Sequence, residues 1–218
     1  MKRVVSAISI LLVAVAVCYG QTGKPVPQIP TITYLEGTVT IDGQRAAIGD
    51  TVPLGAVVET SVQSVVDIEF GTRNAIRLSE NTTLVFNPLN LQTGSQLRQG
   101  SLTLCLKHLA RGERGEAFLV RTPSAVCGVR GTSFFMKVES PASTYVCACN
   151  GAVQILEQDG GLLREVVASH HKGVRIADTG ASPHLEDAPM LYHTDADVEA
   201  VAADIGYKIN WNEVNREE

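Results

Sequence analysis

Four side chains that could bind a soft metal ion lie in the second half of this 218-residue chain. Cys147 and Cys149 are separated by one residue, and His170 and His171 are adjacent. Side chains two positions apart on a strand point to the same face, so the two thiols would form a two-ligand pincer. Two thiolates and two imidazoles are an ordinary zinc ligand set, and they also suit copper or an iron–sulfur centre. The four residues are therefore a candidate site for zinc or another transition metal.

The N-terminus has the features of a targeting segment. Lys2 and Arg3 precede an unbroken run of apolar or small residues at 4–17. A bilayer span needs about 20 apolar residues, so the run predicts a signal peptide over 1–20, no stable membrane span, and export to the periplasm. The alternative is a lipoprotein signal with a lipid anchor at Cys18. We favour the soluble form, because the residue before a lipidated cysteine is normally small and Val17 is bulky.

The cysteines of the exported chain have three interpretations. Their number is even, which in an exported protein first suggests disulfides. Cys147 and Cys149 are poor partners for each other, because Cα atoms two residues apart on a strand lie near the upper limit for a bridge. The other two interpretations are the metal or redox site and free thiols in the core. The full set is Cys105, Cys127, Cys147 and Cys149. The remaining histidines are scattered, and we expect them at the surface: His108, His184 and His193.

The body of the chain, 31–176, consists of short apolar and β-branched runs separated by turn signals. The runs at 57–60 and 65–70 are typical strands, and Asp42-Gly43 and Asn150-Gly151 are strong hairpin signals. In the register that an Asn150-Gly151 turn would set, Cys149 lies beside Ala152 and Ala152 beside Val167. No helical period is sustained in this span. The pattern predicts an all-β fold, an antiparallel sandwich or roll of short strands.

The C-terminal part differs from the body. Apolar residues recur there at three- and four-residue steps, which predicts a short amphipathic α-helix that we expect to pack on its own β body: Val198, Val201, Ala202, Ile205 and Ile209. The predicted organisation is a signal peptide at 1–20, a Pro-rich linker at 21–33, a β domain at 34–180, and an acidic tail with the helix at 181–218. The formal net charge is −5 and no basic patch is evident, which argues against nucleic-acid binding.

One run in the β domain resembles a known family. The sequence RTPSAVCGVRGTSF at 121–134 is similar to the core of FecR domains, in which TP-x-A is followed by RGT-x-F. The steps EGTV at 36–39 and IGD at 48–50 also resemble the opening of that family, so the resemblance covers about 34–176. We expect structural roles for the motif residues Thr122, Pro123, Gly128, Arg130, Gly131 and Thr132. Pro123 suits a strand end, the glycines allow positive φ, and Arg130 would tie loops together.

The resemblance implies a non-catalytic periplasmic module that senses, binds or scaffolds, with a protein of the cell envelope as its partner. Familiar members of the family relay the state of a receptor across the inner membrane to a sigma factor. This chain departs from their plan, because a cleavable signal stands where they have a cytoplasmic domain and a transmembrane helix. No nucleophile elbow, zinc-protease helix or phosphate loop is evident, so we expect no enzyme activity. The alternative function is a metal-binding or redox-centre protein.

Overall fold

The computed structural model describes residues 29–88, 90, 92–107, 118–157, 159–178, 180 and 183–215. The predicted signal peptide, Cys18, residues 21–28 of the predicted linker, and His108 lie outside the described residues. The side chain of Arg130, and with it the predicted tie between loops, also lies outside them.

The described residues form one continuous sheet and one helix. All strand pairs are antiparallel except β8 with β9. The strands are β1 Thr31–Glu36, β2 Val39–Ile41, β3 Gln44–Arg45, β4 Val57–Thr60, β5 Val65–Phe70, β6 Asn74–Leu78, β7 Thr83–Val85, β8 Ser95–Leu106, β9 Phe118–Arg121, β10 Val126–Ser140, β11 Ser143–Leu156, β12 Leu162–Ala168, β13 Lys172–Asp178 and β14 Pro183–Ala188, and the helix is α1 Asp195–Asp204. The predicted class, all-β with a short C-terminal helix, is confirmed. None of the described helical residues forms a segment long and apolar enough to cross a bilayer.

One face of the sheet is curved around the main hydrophobic core. Nearly every strand from β1 to β13 contributes a fully buried side chain to this core, which fits β-branched and aromatic residues at alternating positions. Most strands are short, but β8, β10 and β11 have 12, 15 and 14 residues. These three long strands run through the middle of the sheet, where β10 lies between β8 and β11. They form the platform on which the C-terminal helix and the candidate site lie.

The two predicted hairpin turns differ in outcome. Asp42 and Gly43 connect β2 to β3 with positive φ at both residues, 49° and 77°, as a two-residue hairpin requires. The predicted turn at Asn150-Gly151 is wrong, because both residues lie inside the continuous strand β11. Cys149 therefore does not pair with Ala152.

Long-range contacts explain why the chain does not turn at this point. The buried Asn150 amide donates to the backbone oxygens of Ser169, Asn210 and Glu213, at 2.8 to 3.1 Å. Gly151 has φ 129°, and a side chain there would overlap that of Thr132 on β10. Because β10 approaches so closely, the strand continues past Gly151, and its second half pairs with β12.

The motif at 122–132 forms the turn between β9 and β10 and a bulge within β10. Pro123 lies two residues after Arg121, the last residue of β9, and so near the strand end where it was expected. The Thr122 hydroxyl accepts a hydrogen bond from the Ala125 N–H at 2.9 Å, which closes the turn. Gly128, Arg130, Gly131 and Thr132 lie within β10 rather than in a loop, and the register shifts where Gly131 has φ 40°.

The C-terminal helix packs on the outer face of the platform. Thr194 caps α1 and forms a capping box with Asp197. Its buried residues Val198, Val201 and Ala202 join a second apolar cluster on β6, β8, β10 and β11. The expectation that this helix packs on its own β body is confirmed. The acidic tail begins as a strand of the sheet, since β14 pairs with β13.

Candidate metal centre

The two thiols lie on one face of β11. Along this strand Val146 and Ala148 point into the main core, whereas Cys147 and Cys149 point into the second cluster, beneath the C-terminal helix. Both side chains are fully buried. Cys147 pairs with Gly173 on β13, which has no side chain to cover the thiol. The strand period therefore produces the pincer that the Cys-x-Cys spacing predicts.

His171 approaches the thiols from the turn between β12 and β13. Its backbone N–H donates to the Cys149 carbonyl oxygen at 3.0 Å, so the turn is tied directly to β11. The residue has φ 34°, in the left-handed region that non-glycine residues rarely occupy. This backbone conformation brings His171 Nδ1 within 3.6 Å of Cys147 Sγ. Strained residues of this kind concentrate at functional sites.

His193 completes the group from the opposite side. It lies between β14 and α1 and is only 7% exposed, so the expectation that it lies at the surface is wrong. Its ring stacks on Phe135, with the ring centroids 4.4 Å apart. Its Nε2 lies 3.4 Å from Cys149 Sγ and 3.2 Å from His171 Nδ1. His184, the other scattered histidine that the structure describes, is exposed as expected.

The spacing of the four side chains matches a tetrahedral zinc site. One ligand atom each from Cys147, Cys149, His171 and His193 lies within 4.8 Å of all the others. With Zn–N near 2.0 Å and Zn–S near 2.3 Å, a regular tetrahedron has N···N edges of about 3.3 Å and N···S edges of about 3.5 Å. The observed N···N distance is 3.2 Å, and two of the four N···S distances are 3.4 and 3.6 Å. These distances would accommodate zinc with little movement.

The second ring nitrogen of each histidine has a hydrogen-bond acceptor. His171 Nε2–H donates to the Asp195 carboxylate at 2.9 Å, and His193 Nδ1–H donates to the Leu191 carbonyl oxygen at 2.8 Å. In these tautomers His171 Nδ1 and His193 Nε2 both carry lone pairs, and the two atoms face each other. Each nitrogen can accept from the neighbouring thiol, and the two together can also share a proton or bind a metal ion. Histidines that ligate metals usually donate their other N–H in this way.

The protonation of the two thiols is unequal. Hydrogen bonding with Cys149, and then with the two histidines, lowers the pKa of Cys147 despite its burial. Burial, followed by the neighbouring Cys147, raises the pKa of Cys149 well above its ordinary value. Burial lowers the pKa of His171, but Cys147 and Asp195 raise it by more, so its net shift is upward. Cys147 and Asp195 therefore both favour a positive charge at His171, which lies between them.

His170 lies beside the four-residue group rather than within it. Its side chain is 51% exposed, and its Nε2 binds the Asp195 carboxylate at 3.0 Å. The His170 and His171 rings both pack against Trp211, with centroids 4.9 and 5.0 Å away. The structure thus brings together Cys147, Cys149 and His171 of the predicted ligands, adds His193, and places His170 on Asp195. Because His171 also approaches Asp195, these three residues form a second, more exposed group.

The remaining cysteines lie apart from this group. All four cysteines in the described part of the chain are free and buried. Cys127 belongs to the main core, where burial raises its pKa to about 12. Cys105 lies in the second cluster, with its Sγ 3.1 Å from Ser133 Oγ. His193 has no ligand motif around it, and the only sequence signal was its position just before a capped helix.

Comparison with known proteins identifies a family that this chain resembles. Residues 56–154 match the family described as FecR protein. A solved structure of a putative anti-sigma factor from Parabacteroides distasonis is similar, with 14% sequence identity and a TM-score of 0.46 over 61% of this chain. This chain spans 60% of the length of that structure. No curated protein shows significant similarity. The resemblance predicted from the motif at 121–134 is confirmed by the match of residues 56–154 to that family.

Proposed function

We propose that this chain is a non-catalytic sensing module of the periplasm and that the ligand it senses is a thiophilic transition-metal ion, zinc first. The ion would be bound by Cys147, Cys149, His171 and His193. The observation that carries the proposal is the placement of four ligand atoms within 4.8 Å of one another, with one N···N and two N···S distances close to those of a zinc tetrahedron. Copper(I) suits the same sulfur and nitrogen donors and is the second candidate metal.

The ligand count supports binding rather than catalysis. A catalytic zinc keeps a position open for water or substrate, whereas a structural zinc has four protein ligands. Four protein side chains would fill a tetrahedral ion here, and three of them are buried: Cys147, Cys149 and His193. The match of residues 56–154 to the FecR family supports a role in signalling or sensing.

The cellular setting of the proposal rests on the sequence. The basic and apolar N-terminus supports export to the periplasm, with a lipid anchor at Cys18 as the alternative. An envelope protein is the proposed partner that receives the signal. Acidic residues outnumber basic ones strongly after 184, and the net charge of −5 supports a protein partner over a nucleic acid.

Elemental analysis tests this function. The full chain, without a histidine tag, is purified from the periplasm, and its thiols are counted in parallel. We expect about one equivalent of zinc or copper, as one tetrahedral site holds one ion. Cys149→Ser and His193→Ala should lose it, whereas His170→Ala should retain it. The matched controls are Cys127→Ser, a buried thiol in the main core, and His184→Ala, an exposed histidine on β14.

Two results would contradict the proposal. The first is wild-type protein without bound metal that also fails to bind zinc after reduction and reconstitution. The second is an equal loss of metal from the control variants and the ligand variants. If His170→Ala lost the metal and His193→Ala kept it, the ligand set predicted from the sequence would replace the one described above.

A further inference from the structure

The four proposed ligands come from two parts of the chain, the sheet and the segment that carries the helix. Cys147, Cys149 and His171 belong to the strands of the β domain and the turn between them. His193 belongs to the C-terminal segment, defined as residues 193–215, which contains α1. The Asp195 carboxylate that accepts from His171 is the first residue of α1. A metal ion at this site would therefore join the β domain to the start of the helix.

The C-terminal segment covers an apolar part of the sheet. Val198, Val201 and Ala202 of α1 are fully buried, and Ile205 and Ile209 are nearly so. They pack with side chains of β6, β8, β10 and β11 in the second cluster, which also contains the two ligand thiols: Ala75, Cys105, Phe135, Tyr145, Cys147 and Cys149. The position of the helix thus decides whether this part of the sheet is covered.

The chain just before the segment is tied to β11 through Tyr145. The Tyr145 hydroxyl donates to the Pro189 carbonyl oxygen at 2.9 Å and accepts from the Leu191 N–H at 3.0 Å. Tyr192, the next residue, has φ 68°, in the left-handed region. The fixed point and the strained residue together place a hinge immediately before His193.

The far end of the helix combines attraction and repulsion. The Arg73 guanidinium donates to the carbonyl oxygens of Ile205 and Gly206, at 3.3 and 3.2 Å. The last turn of α1 contains no basic residue. Its last residue, Asp204, lies beside the buried Asp67, and partial burial and that carboxylate raise the pKa of Asp204 to about 6. An acidic group at a helix C-terminus also opposes the helix dipole. The Arg77 guanidinium binds Asp67 and favours the charged form of Asp204, so it offsets part of the repulsion between the two carboxylates.

We propose that metal binding latches the C-terminal segment onto the β domain, and that loss of the metal releases α1 from the apolar surface beneath it. The latch rests on the proposed metal-binding function. It is the conformational change by which metal binding at the site would be transmitted to the surface of the protein. The docked form offers four ligands, whereas the released form offers three, because His193 leaves with the segment. A ligand shifts a conformational equilibrium by its difference in affinity for the two forms, so the metal favours the docked one.

The test compares metal-free, reduced full-length protein with the same protein loaded with zinc. Hydrogen exchange is followed in peptides covering 194–209, and in β5 as an internal reference. The single tryptophan, Trp211, packs on His171 and reports the position of the segment by its fluorescence. Zinc content is measured on the same samples. We expect the α1 amides to exchange at least tenfold more slowly with zinc, a change in Trp211 emission, and no change in β5.

A variant of the helix tests whether docking of α1 affects zinc binding. Val201→Asp should prevent docking without altering a ligand, and it should weaken zinc binding at least tenfold, because coupling between docking and binding is reciprocal. Val201→Ala, a milder change, should weaken it in the same direction. Binding of one zinc with unchanged exchange in α1 and unchanged Trp211 emission would overturn the latch and leave the metal-binding function intact. Absence of zinc binding to the wild type would overturn both.

Discussion

The carboxylate behind His171 offers a quantitative test of the proposed centre. Asp195 accepts from His171 Nε2 at 2.9 Å, which holds Nδ1 towards the thiols and increases the basicity of the ring. Asp195→Asn retains an acceptor at this position but removes its charge, and Asp195→Ala removes both. Neither variant changes a proposed ligand, so a loss of affinity acts through the orientation and basicity of His171 or, because Asp195 begins α1, through the helix.

The structure sets the expected size of the effect. Removing a group that supports a ligand typically costs about 10–100-fold in metal affinity, which is roughly 1.4–2.7 kcal/mol. The Asp195 side chain is 44% exposed, so its charge is screened by solvent. We therefore expect Asp195→Asn near the lower end, about tenfold. Asp195→Ala belongs nearer the upper end, about 100-fold, because His171 would be free to rotate and to change tautomer.

The assay is a competition titration of reduced, metal-free protein with a chromogenic zinc chelator at pH 7. Asp159→Asn is the matched control, since it removes the same charge in the turn at the opposite end of β11 from the centre. Its zinc affinity should equal that of the wild type. The role of Asp195 in supporting His171 would be wrong if both Asp195 variants bound zinc within twofold of the wild type. It would also be wrong if the control lost as much affinity as they do.

Three further outcomes are expected from urea unfolding. Gly151→Ala should reduce the free energy of unfolding by several kcal/mol, because the new methyl group would overlap Thr132 in a region where φ is 129°; a wild-type midpoint would count against the close approach. Tyr145→Phe should cost about 1–3 kcal/mol by leaving two backbone groups near the hinge unpaired, and a neutral result would contradict those hydrogen bonds. Hydrogen bonding to Arg175, against a smaller effect of burial, lowers the pKa of Glu139 to about 2. The carboxylate therefore stabilises the fold above its ordinary pKa, and this stabilisation is lost as pH falls towards 2; Glu139→Gln should flatten that part of the pH profile.

The strands were predictable because their signals are local. The runs at 57–60 and 65–70 predict strands with the bounds of β4 and β5. Asp42-Gly43 turns as predicted, since its flanking strands are short and the hydrogen bonds between Asp42 and Val57 are compatible with the turn. Asn150-Gly151 has the same local preference for a turn. It is hydrogen-bonded, however, to β10, to the turn between β12 and β13, and to the C-terminal segment. Those contacts depend on the complete fold and override the preference for a turn.

The candidate centre was predictable only as far as the strand period reaches. The spacing of Cys147 and Cys149 indicates a pincer, and the strand places both on one face. Which of His170 and His171 turns towards them depends on the backbone at His171, where φ is 34°. His193 reaches the group only because β14 adds to the sheet edge and the chain then turns back over it. No residue adjacent to His193 in the sequence carries that information.

X-ray absorption at the zinc edge identifies the atoms bound to zinc and so tests the proposed set of four ligands. The sample is the full-length chain, purified without a tag and loaded with one equivalent of zinc, next to His193→Ala. The proposed ligand set predicts two sulfur scatterers near 2.3 Å and two nitrogen scatterers near 2.0 Å, with imidazole multiple scattering. It also predicts the loss of one nitrogen in the variant. A first shell made of oxygen and nitrogen alone, or an identical spectrum for the variant, would contradict it.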